Sequence, residues 1–206
     1  MFFMMEKQRM RIWEKAALLA LCLTLLSGTW AGARQRSIAG RLLRLHVIAA
    51  SDEADEQALK LRVRDAVLDY LGPRLDGAES VRQAEEILRG ELEGVREAAE
   101  RVSEGRSVTV SLGAEDYPLR RYGGLSLPAG RYESLRVVLG PGEGQNWWCV
   151  VFPPLCLEAA AKDELRETMS REDYGIVSGR EGYELRFWLV ERWGELTNAL
   201  RRAAKP

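Results

Sequence analysis

The chain has one histidine, His46, among its 206 residues, and it lacks the short motifs of common hydrolases. It contains neither a His-Glu-x-x-His pair nor a Gly-x-Ser-x-Gly elbow, which excludes two frequent signatures of zinc and serine hydrolases. The acidic group at residues 52–56 lacks the carboxylate spacing of a calcium loop and is typical of a solvated helix N-terminus. Motifs therefore predict no catalytic residue, no metal site and no cofactor.

The sequence also lacks an excess of positive charge. It carries 30 basic and 31 acidic side chains, for a formal net charge of −1. Residues 1–33 hold four of the basic and two of the acidic groups, so the rest of the chain carries 26 and 29. Because phosphate recognition needs a basic surface, this balance predicts no nucleic-acid partner. The hydrophobic content of 46% is sufficient for one well-buried domain.

The first 33 residues have the layout of an export signal. A basic stretch precedes an apolar run at residues 16–26, and the triplet Ala-Gly-Ala precedes Arg34. This order is typical of a secretory signal peptide cleaved after Ala33. Uncharged residues continue to Ala33, so an uncleaved membrane anchor is the alternative. We predict a signal peptide or N-terminal membrane anchor that contacts the membrane at residues 1–33, and a single globular domain at residues 34–206.

Hydrophobic periodicity predicts the elements of this domain. Residues 42–49 alternate between a strongly apolar face and a less apolar face that carries Arg44, His46 and Ile48, which predicts a strand. Apolar residues at spacings of three and four predict two helices, of which the first ends at Gly72 and Pro73. The second helix covers residues 79–102, further strands cover 107–112, 131–139 and 145–152, and C-terminal helices cover 157–168 and 183–202. These elements predict an α+β fold in which a small, mainly antiparallel sheet packs against a helical hairpin.

Residues 145–157, Gln-Asn-Trp-Trp-Cys-Val-Val-Phe-Pro-Pro-Leu-Cys-Leu, combine a Trp pair, two cysteines and a Pro pair. Apolar residues fall on both faces of the predicted strand, which is typical of a strand that is covered on both sides or that awaits a partner. A disulfide between Cys149 and Cys156 needs a bulge or a cis proline, because an all-trans chain leaves the two Cα atoms about 9 Å apart. We therefore favour two unbridged cysteines and keep the disulfide as the alternative.

Two further functions remain open from the residues alone. In a secreted thiol hydrolase, Cys149 or Cys156 would be the nucleophile and His46 the base, exposed on the less apolar face of its strand. A lone histidine is more often structural, however, and Cys149 lies inside a strand rather than at an activating helix N-terminus. In a cell-wall binding module, an exposed Trp147 would supply the binding surface. We predict that the chain is not an enzyme.

Three blocks of the sequence resemble one known family. The first block, 45–68, begins Leu-His-Val-Ile-Ala-Ala-Ser-Asp, and the second, 117–138, contains Tyr-Pro-Leu-Arg-Arg-Tyr-Gly and Leu-Pro-Ala-Gly-Arg-Tyr-Glu. The third, 144–156, contains Trp-Trp-Cys and Pro-Pro-Leu-Cys. These blocks are similar to the stage II sporulation protein R family of endospore-forming bacteria. Ala50 stands where that family usually has Asn.

The resemblance implies a function that composition does not reveal. Members of this family are made in the forespore and exported into the space between the forespore and mother-cell membranes. There they cause a membrane-embedded aspartic protease to process the precursor of sigma factor E in the mother cell. The resemblance therefore implies an exported signalling protein whose partner is that protease.

A partner-binding surface is predicted from residue types that are frequent at interface hot spots. Arg120 and Tyr122 lie in a Pro- and Gly-flanked loop where periodicity gives no reason for an aromatic residue. Asn146 and Trp147 begin the Trp-rich strand, and Pro154 fixes its exit. We predict that these five residues bind the partner, with packing of Trp147 and Pro154 in the core as the alternative.

Overall fold

The computed structural model describes residues 2–122, 124–153, 161–179 and 183–204. These residues form seven helices and six strands, which follow one another along the chain. The elements are α1 Phe2–Ala39, β1 Leu43–Ile48, α2 Ala54–Leu75, α3 Val81–Gly90, α4 Leu92–Glu100, β2 Val108–Tyr117, β3 Arg120–Tyr122, β4 Leu125–Leu127, β5 Gly130–Leu139, β6 Asn146–Phe152, α5 Ala161–Thr168, α6 Arg171–Val177 and α7 Glu184–Ala203.

Four strands form the main sheet in the order β2-β5-β1-β6. β5 is antiparallel to β2 and parallel to β1, and β6 is antiparallel to β1. This arrangement confirms the predicted α+β class with a mainly antiparallel sheet and C-terminal helices. The segment with Arg120 and Tyr122, predicted to be a loop, is instead strand β3, because it pairs antiparallel with β4 in a separate small sheet.

The two faces of the main sheet are covered differently. Leu43, Leu45 and Val47 of β1 point toward α2, α3 and α4, where they form a core with the apolar residues of these helices. Arg44 and His46 point to the opposite face, because successive side chains in a strand alternate. A second core lies on that face, and its members come from α1, α5, α6 and the small sheet as well as from the main sheet. It includes Ile38, Leu42, Tyr117, Leu127, Tyr132, Val150, Leu165 and Ile176.

The first predicted helix has a different C-terminus in the structure. α2 continues beyond Gly72 to Leu75, with Pro73 inside its last turn. Leu71 and Leu75 are both buried in the core beneath the helices, so packing of this turn outweighs the local tendency of Pro73 to end the helix.

The second predicted helix, at 79–102, is divided into α3 and α4 at Glu91. Tyr70 of α2 donates a hydrogen bond to the Glu91 carboxylate at 2.5 Å. Gly90 and Gly94 flank the break, and a Cβ atom at Gly94 would lie 1.8 Å from the Tyr70 hydroxyl oxygen. The interruption therefore results from contact with α2, together with the low helix propensity of glycine.

α1 does not end at the predicted boundary after Ala33. It continues to Ala39, and Ala31 and Ile38 are buried against the domain, whereas the leucines at 18–26 are exposed. The helix at residues 12–39 is long and apolar enough to cross a membrane, and its most apolar 18-residue stretch has a mean hydropathy of 1.7. An apolar helix at this position fits a signal peptide or a membrane anchor.

Candidate functional site

Arg44 of β1 is fully buried, and no carboxylate among the described residues forms an ion pair with it. Its Nε donates to the Cys149 carbonyl at 3.0 Å, and its Nη2 donates to the Tyr122 hydroxyl at 2.8 Å. The guanidinium carbon lies 4.2 Å from the Tyr117 ring centroid and 4.9 Å from that of Tyr132. Hydrogen bonds and aromatic faces therefore take the place of a counter-ion.

His46 lies two residues farther along β1 and is only 4% exposed, so the expectation that it is exposed is wrong. Its Nδ1 lies 2.9 Å from the Glu115 carboxylate, and its Nε2 lies 2.6 Å from Asn146 Oδ1. The imidazole stacks on the Trp148 indole with a centroid distance of 3.6 Å and an interplanar angle of 15°. Both ring nitrogens of His46 therefore have a hydrogen-bond partner within the domain.

The Glu115 carboxylate is held in its ionised form. Partial burial acts to raise its pKa, but the hydrogen bond and charge of His46 act to lower it, and together with smaller contributions from Ser134 and Arg136 they outweigh burial. The pKa of Glu115 is therefore lowered from its ordinary value. Glu115 thus gives the His46 ring a fixed acceptor and a fixed orientation.

The tyrosines around Arg44 are held in their neutral form. Burial raises the pKa of Tyr117, Tyr122 and Tyr132, although the nearby charge of Arg44 acts to lower each of them. Two of these hydroxyls donate to backbone carbonyls: Tyr132 to residue 128 at 2.7 Å and Tyr122 to residue 148 at 3.1 Å. These phenols therefore contribute ring faces and hydrogen bonds, and they do not neutralise the guanidinium.

The cluster around His46 reaches solvent at Arg136 and Asn146. We call His46, Glu115, Arg136, Asn146 and Trp148 the His46 face. Arg136 is paired with His46 in the β5–β1 register, and its side chain is 46% exposed. Its guanidinium lies 3.6 Å from the Glu115 carboxylate. Asn146 is exposed and Trp148 is half-buried. Arginine and tryptophan, both present in this face, are among the residue types enriched at protein-binding surfaces and their hot spots.

Three of the five predicted partner-binding residues lie in or beside the His46 face. Asn146 belongs to it, and the Arg120 guanidinium carbon lies 5.5 Å from the Trp148 ring centroid. Tyr122 is half-buried in the second core and supports the face through Arg44. Substitution of Tyr122 is therefore expected to change stability as well as any binding.

Of the other two predicted residues, the structure describes only Trp147, and it does not belong to this surface. Trp147 points to the opposite side of the sheet, where the Arg64 guanidinium carbon lies 4.4 Å from its ring centroid. Trp147 is half-buried against the helix-facing core, so the exposed Trp147 required for a cell-wall binding module is not observed. Pro154 lies outside the described residues.

The position of Cys149 does not suit a thiol enzyme. Its side chain lies in the helix-facing core, on the opposite side of the sheet from His46, and it is bonded in a disulfide. The alternative in which Cys149 is the nucleophile and His46 the base therefore does not fit this geometry. Cys22 is a free thiol, and Cys156 lies outside the described residues.

The chain around Cys149 departs from the all-trans geometry that made a disulfide unfavourable. The Phe152–Pro153 peptide bond is cis, and the register between β1 and β6 shifts between Leu43 and Arg44. The sequence interpretation required one of these two features, a bulge or a cis proline, for a bridge. Among the described residues, no group of three or more His, Cys, Asp or Glu side chains could hold a metal ion.

The sequence interpretation missed Arg44, Glu115, Trp148 and the surrounding tyrosines. Arg44 is the one charged residue in the strand Leu-Arg-Leu-His-Val-Ile, and its presence in an otherwise apolar strand was a usable signal. Glu115 gave no such signal, because its contact with His46 depends on the alignment of β2, β5 and β1, which is not local in sequence.

Comparison with known proteins identifies relatives of the chain. The sequence model of the stage II sporulation protein R family matches residues 39–162. Stage II sporulation protein R of Bacillus subtilis (strain 168) is 29% identical over 180 residues, which cover 75% of this chain and 80% of the relative. No solved structure matches the chain.

Proposed function

Because the chain belongs to the stage II sporulation protein R family, we propose that it is an exported sporulation signal. The chain is made in the forespore and exported into the space between the forespore and mother-cell membranes. There it binds a membrane-embedded aspartic protease and activates it to process pro-sigma-E in the mother cell. In this proposal the chain acts as a ligand and not as a catalyst.

The His46 face is the structural observation that supports a binding role. The imidazole that could serve as a base has both ring nitrogens engaged, by Glu115 and by Asn146. The exposed groups around it, Arg136 and Asn146, stand on a strongly paired sheet and on a buried aromatic layer. Such support fixes the exposed side chains before a partner arrives, and preorganisation reduces the entropic cost of binding.

The charges around this face indicate the chemistry of the protease surface. Arg136 is exposed in the His46 face and Arg120 is partly exposed beside it, and Glu115, the acidic member of the face, is already engaged by His46 and Arg136. We therefore expect the protease to present acidic side chains opposite this basic rim. An activating ligand must also bind the active state of the protease more tightly than the inactive state, so the same contacts must discriminate between them.

Reconstitution in a non-sporulating bacterial host tests this function. The membrane protease and pro-sigma-E are co-expressed with and without the full chain, and cleavage of pro-sigma-E is followed by immunoblotting. We expect processed sigma-E when all three proteins are present and little when the chain is omitted. Absence of cleavage with a chain that is exported and folded would contradict the proposal.

Two charge reversals of matched type locate the surface in the same assay. Arg136→Glu changes the His46 face, whereas Arg82→Glu changes α3, on the other side of the sheet, at a side chain that is 89% exposed. We expect Arg136→Glu to weaken activation at least about tenfold, which corresponds to a loss of about 1.4 kcal/mol of binding. Arg82→Glu should leave activation unchanged. Equal effects of the two substitutions would remove the His46 face from the interface.

A further inference from the structure

β2 is the outermost strand of the main sheet on the side of β5. It has 10 residues, and its pairing with β5 runs in continuous register from Val108 to Tyr117. Residues 107–114 contain no proline and no charged side chain. Proteins commonly protect exposed sheet edges with such residues, with bulges or with short strands. A long, regular and uncharged edge is therefore suited to pair with another strand.

Backbone groups on the outer side of β2 are available for this pairing. The Ser107 carbonyl accepts a hydrogen bond from the Gly140 amide at 2.9 Å, which continues the ladder between β2 and β5. Residues of an antiparallel strand alternate in turning their N–H and C=O groups toward the partner strand. Those of Val110 and Leu112 therefore turn away from β5. Among the residues that the structure describes, no other hydrogen bond engages them.

Side chains on the two sides of this edge indicate the kind of strand that fits. On the helix side, Val110 and Leu112 are only partly buried against the core, so apolar side chains of an added strand would cover their remaining surface. On the other side, Thr109, Ser111 and Gly113 are small and exposed. A strand in which apolar and polar residues alternate matches both sides.

Arg136 of β5 supplies positive charge beside this edge. It is paired with Ser111 of β2, and its guanidinium lies 3.6 Å from the carboxylate of Glu115, another β2 residue. The guanidinium therefore lies above β2, and the Arg136 side chain is 46% exposed. Because Ser111 and Gly113 are small, an acidic side chain opposite Ser111 on an added strand would be within reach of this charge.

The same charge disfavours a second copy of the chain as the added strand. Two copies of β2 paired antiparallel around Ser111 would place their Arg136 residues directly across the shared sheet, about 14 Å apart at three strand spacings. The two long side chains would extend toward each other over small residues. Like charges in such positions destabilise a sheet, whereas an acidic segment is attracted.

We propose that the protease adds an extended segment to β2 as a further strand, with apolar side chains beside Val110 and Leu112 and an acidic side chain beside Arg136. This inference rests on the proposed function and names the form of the partner segment. In this mode of recognition, backbone hydrogen bonds supply affinity and alternate side chains supply specificity. Arg136 also belongs to the His46 face, so the edge and that face form one interface.

Removal of one outward N–H group tests the pairing. Val110→Pro removes this group and keeps an apolar side chain of similar size, whereas Val110→Ala keeps the group and is the matched control. Each full chain is co-expressed with the affinity-tagged protease and pro-sigma-E. Processing is followed by immunoblotting, and the amount of chain captured with the protease in detergent is measured. We expect Val110→Pro to lower both at least about tenfold and Val110→Ala to change each less than about twofold.

Hydrogen exchange gives a second measurement that needs no substitution. Mass spectrometry at residue resolution compares the amides of Val110 and Leu112, which turn outward, with those of Thr109 and Ser111, which turn toward β5. We expect the outward amides to exchange fast in the free chain and slowly in the captured complex, and the inward amides to exchange slowly in both. This comparison decides the question if thermal unfolding shows that Val110→Pro does not fold.

Several outcomes would overturn the added strand. Equal processing and capture with a folded Val110→Pro chain would do so, as would outward amides that stay unprotected in the complex, and both would leave the proposed function in place. Outward amides protected in the free chain in a concentration-dependent manner would show that a second copy covers β2 instead. Absence of processing and capture with the unsubstituted chain would contradict the proposed function, and this inference with it.

Discussion

Replacement of Arg44 by methionine tests whether the tyrosine cage stabilises the domain. The substitution keeps the volume and length of the side chain but removes two charged hydrogen bonds, each worth about 1.5–3 kcal/mol. It also removes contacts with three aromatic rings whose centroids lie 4.2–5.6 Å from the guanidinium carbon, each worth about 0.5–2 kcal/mol.

An opposing contribution must be subtracted from this loss. Burial of the Arg44 guanidinium costs several kcal/mol of desolvation free energy, and methionine does not incur that cost. Taken toward the lower ends of these ranges, the lost interactions sum to about 6 kcal/mol, and the recovered desolvation energy is about 3–4 kcal/mol. We therefore expect Arg44→Met to lower the free energy of unfolding by about 2–3 kcal/mol.

Urea unfolding of the full chain in detergent micelles measures this difference through tryptophan fluorescence. With a urea dependence of about 1–3 kcal/mol/M, the midpoint should fall by about 1–2 M. Arg62→Met is the matched control, because Arg62 is exposed and forms a surface ion pair with Glu104, worth less than about 1 kcal/mol. A midpoint for Arg44→Met at or above that of the unsubstituted chain would refute the reasoning, since it would show that desolvation outweighs the cage.

Further predictions concern pH, the disulfide and one close helix contact. The lowered pKa of Glu115 means that its ionised form contributes stability that is present above its ordinary pKa and is lost as pH falls through the folded value. Glu115→Gln should therefore destabilise the chain at neutral pH, with a difference that shrinks below pH 4.5; an unfolding difference independent of pH would contradict this. In unfolded chain, Cys149 should resist alkylation until reductant is added, whereas the free cysteine of α1 reacts at once; early labelling of Cys149 would show that no disulfide forms. Gly194→Ala should cost about 1–3 kcal/mol of unfolding free energy, because its Cβ atom would lie 1.8 Å from the Ala129 carbonyl oxygen; Gly90→Ala, which meets no atom within 4 Å, is the control.

The sequence was sufficient for features that depend on local periodicity. The alternation in residues 42–49 predicted β1 with its apolar face toward the helices, and the structure confirms that face. The same pattern placed Arg44 and His46 together on the other face. The α+β class followed from the succession of such patterns along the chain.

Features that depend on contacts between distant segments were not accessible in the same way. Glu91 interrupts a helical pattern because Tyr70 of another helix reaches it, and Pro73 is accepted in α2 because the following turn is buried. α1 crosses a predicted domain boundary because Trp193, far along the chain, packs on its glycines. Each of these contacts outweighs a local preference of about 1–3 kcal/mol.

The candidate site was predicted only in part, because it also depends on contacts between distant segments. Residue type alone selected Arg120, Tyr122 and Asn146, which the fold brings near His46. Trp147 was assigned to the same surface. Adjacent residues of a strand point to opposite faces, however, and in the β1–β6 register His46 is paired with Trp148. Register across three strands cannot be read from residue types, so the pairing of His46 with Glu115 was not foreseen.

Photo-crosslinking during co-expression with the membrane protease tests most directly whether the chain binds it through the His46 face. A photoreactive amino acid replaces Ser111, which is exposed and paired with Arg136, or, as the control, Arg82 on α3. Neither substitution removes a contact of His46. We expect a crosslink to the protease from position 111 and none from position 82, with pro-sigma-E processed in both cases. A crosslink from position 82 alone, or processing without any crosslink from position 111, would contradict it.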